Sequence, residues 1–464
     1  VSAFLVGHAT HPEWTGAFAL VAAQLDAQAH SQAAARAGQR SEAAGASAAV
    51  PGRAGAPTLG LVYFTDAYAA AAEPLLAALR QRWPGVSFVG TVGVGVAVAG
   101  VEYFDEPALV VMLMALPREQ FQVFNGTAGL RMARGPSALP PQAAATALVH
   151  LDPATPDAPE LLAELAERTA SGYLFGGVSA SRTQHVQLAD GVFQGGLSGV
   201  AFGAGVPVVS RVTQGCTPLG PARRITASDG TLVLALEGQP ALPQLLADLH
   251  LLRPGGQAVS ARALREAVPR LRRTLVGLSN PAAAGGGAPV AGVAAGAAPV
   301  RPGSFGDEVR VRHLIGVDQA RQGIAVAEHV HPGMRLSFCE RDVEAARRDL
   351  VRMCTEIRDE LESRAEARLA DAPADAPARS SAGAAAGASG AEGGAAAAGP
   401  GVRGAVYVSC AGRGGPHFGG PSAELQIMRR ALGDVPLVGF FAAGEIAHRQ
   451  LHGYTGVLTV FCEA

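Results

Sequence analysis

The chain has 464 residues, 48% of them hydrophobic and 16% charged, with a net charge of −2. That is enough apolar sequence for two or three cores, and the balanced charge excludes the basic excess of a nucleic-acid or anionic-membrane binder. All 37 basic residues are arginine, which excludes a Schiff-base lysine and the lysine of a P-loop, and with it the commonest nucleotide-triphosphatase design. The N-terminal "VSAFLVGHATHPEW" has no basic segment ahead of an apolar one, so no signal peptide is read. The five cysteines, 216, 339, 354, 410 and 462, include no C-x-x-C pair. Reduced thiols in a cytoplasm are expected, rather than a disulfide framework or a zinc knuckle.

In chain order, 27–57 is rich in Ala, Gly, Ser and Pro and reads as a low-complexity insertion. Residues 59–90 then read as strand "LGLVYFTD", helix "AEPLLAALRQRWPG" and strand "VSFVG". The same pattern returns at 147–177 and 405–439, each time followed by a hairpin-like tail. Apolar residues recur at helical spacing in Leu161, Leu162 and Leu165, and again in Leu425, Met428 and Leu432. Short β-α-β connections predict parallel strands and the tails antiparallel ones, so mixed α/β sheets with outer helices are expected. Residues 225–248 read as strand, glycine turn and helix, with a domain boundary placed nearby. Residues 281–303 are a Gly/Ala/Pro linker, whose uncharged stretch 281–300 is too weakly hydrophobic for a membrane span. A helix is predicted over 341–365 with the stripe Val343, Ala346, Leu350, Met353, Ile357 and Leu361, and 366–401 is a third linker.

The densest chemistry lies in "SCAGRGGPHFGG", 409–420. Three readings stay open. Its glycines and Arg413 could cradle a carboxylate or phosphate, helped by a helix start at Pro421 and Ser422. It could be a turn with an inert cysteine. Or Cys410 could be a nucleophile, with His417, His448 or His452 as its base. "GGVSASR", 176–182, lacks the last glycine and the following helix of an esterase elbow. Glu445, His448 and His452 have metal-ligand spacing only if helical, and a strand-and-turn reading scatters them, so no metal is expected. "GVGVAVAG" has the wrong spacing for a dinucleotide loop, and no cofactor is expected.

Several motifs in order resemble the FIST family. In the N-terminal region they are "GLVYFTDAY", "FVGTVGVGVAVAGVEYFDEPALVVML", "YLFGGVSASR" and "GGLSGVAFGAG". In the C-terminal region they are "TLVGLSN", "VRHLIGVDQARQGIAVAEHVHPGMRLSFCERD", "YVSCAGRG" and "PLVGFFAAGEIAH". The resemblance implies a sensory signal-transduction module with paired N- and C-terminal regions that binds a small ligand, proposed to be an amino acid or related metabolite. No fused output domain is found here, so a signalling partner would act in trans.

The expected protein is therefore an α/β chain of two related halves, 1–240 and 241–464, around a shared pocket at strand carboxyl ends. The pocket would be lined by Thr65, Asp66, Gly90, Gly177, Ser179, Arg182, Cys410, Gly412, Arg413, Gly439 and Glu445. An arginine with backbone donors opposite an acid suits an amino acid. The alternative is a cysteine-dependent amidohydrolase or transferase using Cys410. No nucleic acid or membrane partner is expected, and the sequence leaves the oligomeric state open.

Overall fold

The structure is a computed structural model describing residues 4–42, 55–126, 131–132, 139–140, 143–251, 265, 268–280, 309–370 and 401–463. It has the expected mixed α/β class. Three sheets are each built on one of the repeated units. In the first unit, strands Leu59–Thr65 and Ser87–Gly93 run parallel, joined through helix Ala72–Arg82. Strands Ala144–Leu151 and Tyr173–Val178 repeat this around helix Ala158–Glu167. Strands Val402–Cys410 and Leu437–Ala442 repeat it again around helix Ala423–Leu432. The strands are near-continuous apolar runs because both faces are covered.

One glycine in each unit superimposes the three. Gly90 lies opposite Val62, Gly176 opposite Val149 and Gly439 opposite Tyr407. A Cβ at these glycines would sit 1.7, 1.9 and 1.7 Å from the opposite carbonyl oxygen. Only a bare α-carbon lets the strands pair so closely.

Each unit is closed by an antiparallel strand, respectively Ala108–Met114, Leu197–Gly203 and Thr455–Cys462. An outer strand then adds to it, Leu5–Thr10, Phe121–Gly126 or Val208–Gln214. The hairpin before each closing strand leaves its own sheet. Hairpin Gly95–Val98/Val101–Phe104 joins the third sheet, Gln187–Ala189/Val192–Phe193 the first, and Glu445–His448/Gln450–His452 the second. The exchange is cyclic, and a common core that includes Tyr63, Phe175, Val200, Val408, Phe440 and Phe461 draws on all three units.

Between the outer strand Val208–Gln214 and the rest of the third unit, the chain inserts a fourth sheet. Strands Arg335–Arg341, Arg223–Asp229, Leu232–Leu236, Gly323–Val326, Arg310–Asp318 and Thr274–Ser279 pair in that order. The last pairs back to the first, closing a six-stranded antiparallel barrel. Strands Cys216–Pro218 and Gln239–Pro240 attach at its side, and helix Ala241–Asp248 packs into its core. The point near residue 240, where the sequence suggests a boundary, lies inside this unit.

Two helices cover outer strands. Helix Val343–Ala370 buries Ala346, Leu350, Met353, Ile357 and Leu361, as its stripe predicts, and its Asp349 accepts the Gln214 amide at 2.7 Å. Helix Trp14–Glu42 covers Leu5–Thr10 through Gln24 and Gln28. Each amide side chain both donates to and accepts from the strand backbone, Gln24 at His8 and Gln28 at Val6. This helix corrects the low-complexity reading of 27–57: residues 27–42 are helical. Their Ala, Gln, Arg and Glu content favours helix wherever a turn upstream nucleates it. Residues 366–370 likewise extend the second helix. Residues 43–54, all of the linker 281–303, and 371–400 lie outside the described residues.

Candidate functional site

In register with the three glycines, three residues further along the first strand, stand Thr65, Asp152 and Cys410. Each holds the start of its closing strand. Thr65 Oγ1 accepts the Ala108 amide at 2.9 Å, Asp152 Oδ2 accepts the Gly195 amide at 2.8 Å, and the Cys410 thiol faces the Tyr454 backbone. The exchanged hairpins add a second latch. Gln187 and Glu445 occupy equivalent places; Gln187 Nε2 donates to the Gly196 carbonyl, and Glu445 Oε2 accepts the Thr455 amide and hydroxyl at 3.1 and 2.7 Å. Thr65, Cys410 and Glu445 therefore carry structural duties whatever else they do.

Asp66, after the first unit's leading strand, and Arg182, after the second unit, meet at the surface. Asp66 pairs with Arg182 at 2.9 Å, and Arg182 also binds Asp105 at 2.7 Å. Ser179 is buried and hydrogen-bonded to Thr91 at 2.6 Å. Gly177 stands opposite Glu445 and touches Val408 and Ala442. Gly90 and Gly439 are the close-approach glycines described above.

The loop after Cys410 departs from the cradle pictured in the sequence. Arg413 is 1% exposed, and its Nε and Nη2 both donate to Glu424 Oε1 at 2.9 and 2.5 Å. Glu424 also accepts the Tyr407 and Ser409 hydroxyls. The helix begins at Ala423, after Ser422 in the left-handed region, φ 63°. The Gly415 and Ser422 amides point at the protein's own Glu102 Oε1, 3.0 and 2.9 Å away. Most of the loop's anion-binding capacity is thus taken up internally, by residues 11 and 313 positions distant in sequence.

Two polar atoms of this corner remain unpaired, as do others elsewhere in the fold such as His150 Nδ1 and Asp190 Oδ2. Arg413 Nη1 and Glu445 Oε1 are buried without a hydrogen-bond partner, and both act electrostatically on Cys410 between strand and loop. Burial pushes the Glu445 carboxyl up to about 8 against the pull of the Thr455 bonds and Arg413. Burial, and then Glu445, pushes the Cys410 thiol up to about 12. At neutral pH this is a neutral thiol beside a largely protonated acid, not an activated nucleophile.

The barrel covers this corner. Arg341 donates to the Gly412 carbonyl and stacks 4.9 Å over the Tyr454 ring. The Tyr454 hydroxyl meets His313. His417 lies half-buried nearby and is pushed down to about 4 by burial, with Arg341 and Arg413 adding to it. Sequence reading missed Glu102, Glu424, His313, Arg341 and Tyr454. A signal existed for Tyr454 alone: aligning the three units sets it against Gly195. His448 and His452, candidate bases and metal ligands, lie on the strands of one hairpin, where Glu445 faces His452. Among the described residues no cluster of three or more metal-type ligands occurs.

Fold and site define a mixed α/β protein of repeated, hairpin-exchanging units, with two uncommitted polar atoms, Arg413 Nη1 and Glu445 Oε1, where the third unit meets the barrel. The FIST N domain matches residues 58–239 and the FIST C domain residues 267–448, so the chain belongs to the FIST family. Membership gives it a sensory, signal-transduction role. The uncharacterized protein Mb0898c of Mycobacterium bovis is 29% identical over 430 residues, covering 88% of this chain and 91% of its own. The uncharacterized protein MT0656 of Mycobacterium tuberculosis is 28% identical over 428 residues, covering 88% and 92%. Among the described residues no helix is long and apolar enough to cross a membrane.

Proposed function

We propose that this chain is a cytoplasmic sensor that binds a small carboxylate metabolite, in the first place an α-amino acid, beside Cys410. The observation that carries the reading is the pair of buried, unpartnered atoms, Arg413 Nη1 and Glu445 Oε1. A buried polar atom without a partner is costly and calls for one. Arg413 Nη1 offers a cationic donor to a carboxylate, and the Glu445 carboxyl, which burial holds largely protonated in the empty fold, gives up its proton when an ammonium group comes beside it. The output passes to a separate signalling protein.

The Cys410 enzyme alternative is weaker, because a thiol pushed up to about 12 is not a thiolate at neutral pH. Native mass spectrometry of freshly purified protein, followed by calorimetry with the molecule found, tests the proposal. Glu445→Gln should weaken binding about thirtyfold, the loss of one charge-assisted contact of about 2 kcal/mol. No co-purifying molecule, together with no thermal shift across the amino acids and small carboxylates, would sink it.

A further inference from the structure

If Arg413 and Glu445 receive a ligand, something must move, because the two residues are 1% and 0% exposed. What covers them is identifiable. Phe418 stacks on the Arg413 guanidinium at 5.0 Å, and Tyr454 stands beside Cys410 and Glu445 with φ 61°, in the left-handed region that bulky L-residues avoid. The equivalent place in the second unit is taken by Gly195, φ 78°, which adopts that conformation freely. The third unit therefore holds a strained tyrosine where a glycine would serve the turn.

The strained residue is clasped from the barrel side. Its hydroxyl meets His313, and its ring lies under Arg341, which also holds the Gly412 carbonyl. The barrel, for its part, is joined to the third unit by a narrow stem and touches it besides through the Arg312 bond to the Leu451 carbonyl and the small cluster of Leu275, Val311 and Tyr454. The chain enters it through Gly215 and Cys216 and leaves through Arg341 and Asp342. These crossings lie side by side, with Cys216 paired to Arg341 and the Asp342 amide bonded to the Gly215 carbonyl at 3.1 Å. A two-stranded stem with a glycine at its root is where a hinge motion needs the fewest dihedral changes. Arg341 belongs to both the stem and the clasp, so a stem motion withdraws it from Tyr454.

We infer that Tyr454, Arg341 and His313 form a gate over the buried site, and that the barrel swings on its stem to admit ligand. This rests on the ligand-binding reading above, but its test needs no ligand. Cys410 lies directly beneath Tyr454 and is half-buried, whereas Cys354, on helix Val343–Ala370, is fully buried away from the mouth and serves as an internal control.

The experiment is maleimide labelling of the full chain without ligand, with each cysteine followed by peptide mass spectrometry. Tyr454→Gly removes the ring and relieves the turn, so Cys410 should label roughly tenfold faster or more while Cys354 does not change. Arg341→Gln, which leaves the turn intact, should give a smaller increase in the same direction and stands in if the glycine variant does not fold. Unchanged Cys410 rates in the folded variants would overturn the gate, and so would Cys410 and Cys354 rising together, which marks global unfolding. Ligand binding by the wild type with no labelling change in the variants would refute the gate and leave the sensor reading intact. Faster Cys410 labelling with no ligand found would do the reverse.

Discussion

Arg413 and Glu424 face each other inside the third unit as an ion pair with both side chains 1% exposed. The Glu424 carboxylate is completed by the Tyr407 and Ser409 hydroxyls. Removing one partner leaves a buried charge alone, which typically costs about 3–5 kcal/mol. Arg413→Met and Glu424→Leu should each lower stability by about that amount in urea unfolding. The double variant Arg413→Met/Glu424→Leu should lose clearly less than the sum. Additive losses would mean that the two side chains are not coupled.

The close-approach glycines should tolerate nothing larger. At Gly439 the added methyl would lie 1.7 Å from the Tyr407 oxygen, so Gly439→Ala must spread the two central strands. We expect insoluble protein or a loss beyond about 4 kcal/mol. Gly238 has φ 77° but open space around it, so Gly238→Ala should cost only about 1 kcal/mol. Comparable losses at the two positions in a denaturation series would contradict the steric argument.

Glu445 makes stability depend on pH in a definite direction. Its carboxyl is pushed up to about 8 in the fold, against an ordinary value of 4.5. Between those values the folded state holds a proton that the unfolded state has released, so stability falls as pH rises from about 4.5 to 8 and then levels. Buried His150 and His452, both pushed down to about 3, act oppositely and withdraw stability as pH falls below 6.5. Glu445→Gln should remove the alkaline decline and leave the acid one. Parallel pH profiles for variant and wild type would show that Glu445 does not titrate there.

Cys410→Ser should be nearly silent. A serine oxygen at this position can accept the Tyr454 amide as Thr65 accepts Ala108 in the first unit. A melting temperature within a few degrees of wild type, reflecting about 1 kcal/mol or less, is expected. A collapse in stability would mean that the sulfur fills its place in a way a hydroxyl cannot.

The edge latches offer a solubility test. Gln24 and Gln28 occupy the backbone groups of Val6 and His8 that an outer strand would otherwise present to another chain. Replacing both with leucine keeps the helix but leaves those groups unpaired. Concentration-dependent light scattering should rise, and a monodisperse variant would show the edge to be protected by other means.

By itself the sequence determined the local units. Apolar runs bounded by turns made the parallel strands and three-and-four spacing made the helices, whereas Gly90, Gly177 and Gly439 were read as pocket-lining turns and the close strand approaches fall at 90, 176 and 439. The strands and helices follow from backbone geometry and hydrophobic periodicity, which act over a few residues. Only the tertiary structure decided which sheet each hairpin joins, because Val96, Gln187 and Glu445 alternate alike and all fit an antiparallel edge. It also decided the state of the loop after Cys410. Arg413 and the loop amides look free in the sequence, yet Glu424 and Glu102 reach them through folding, and the burial that brings them together makes leaving them unpaired costly. The same burial moved Glu445 and Cys410 away from their ordinary protonation, a property of the surroundings rather than of the residues.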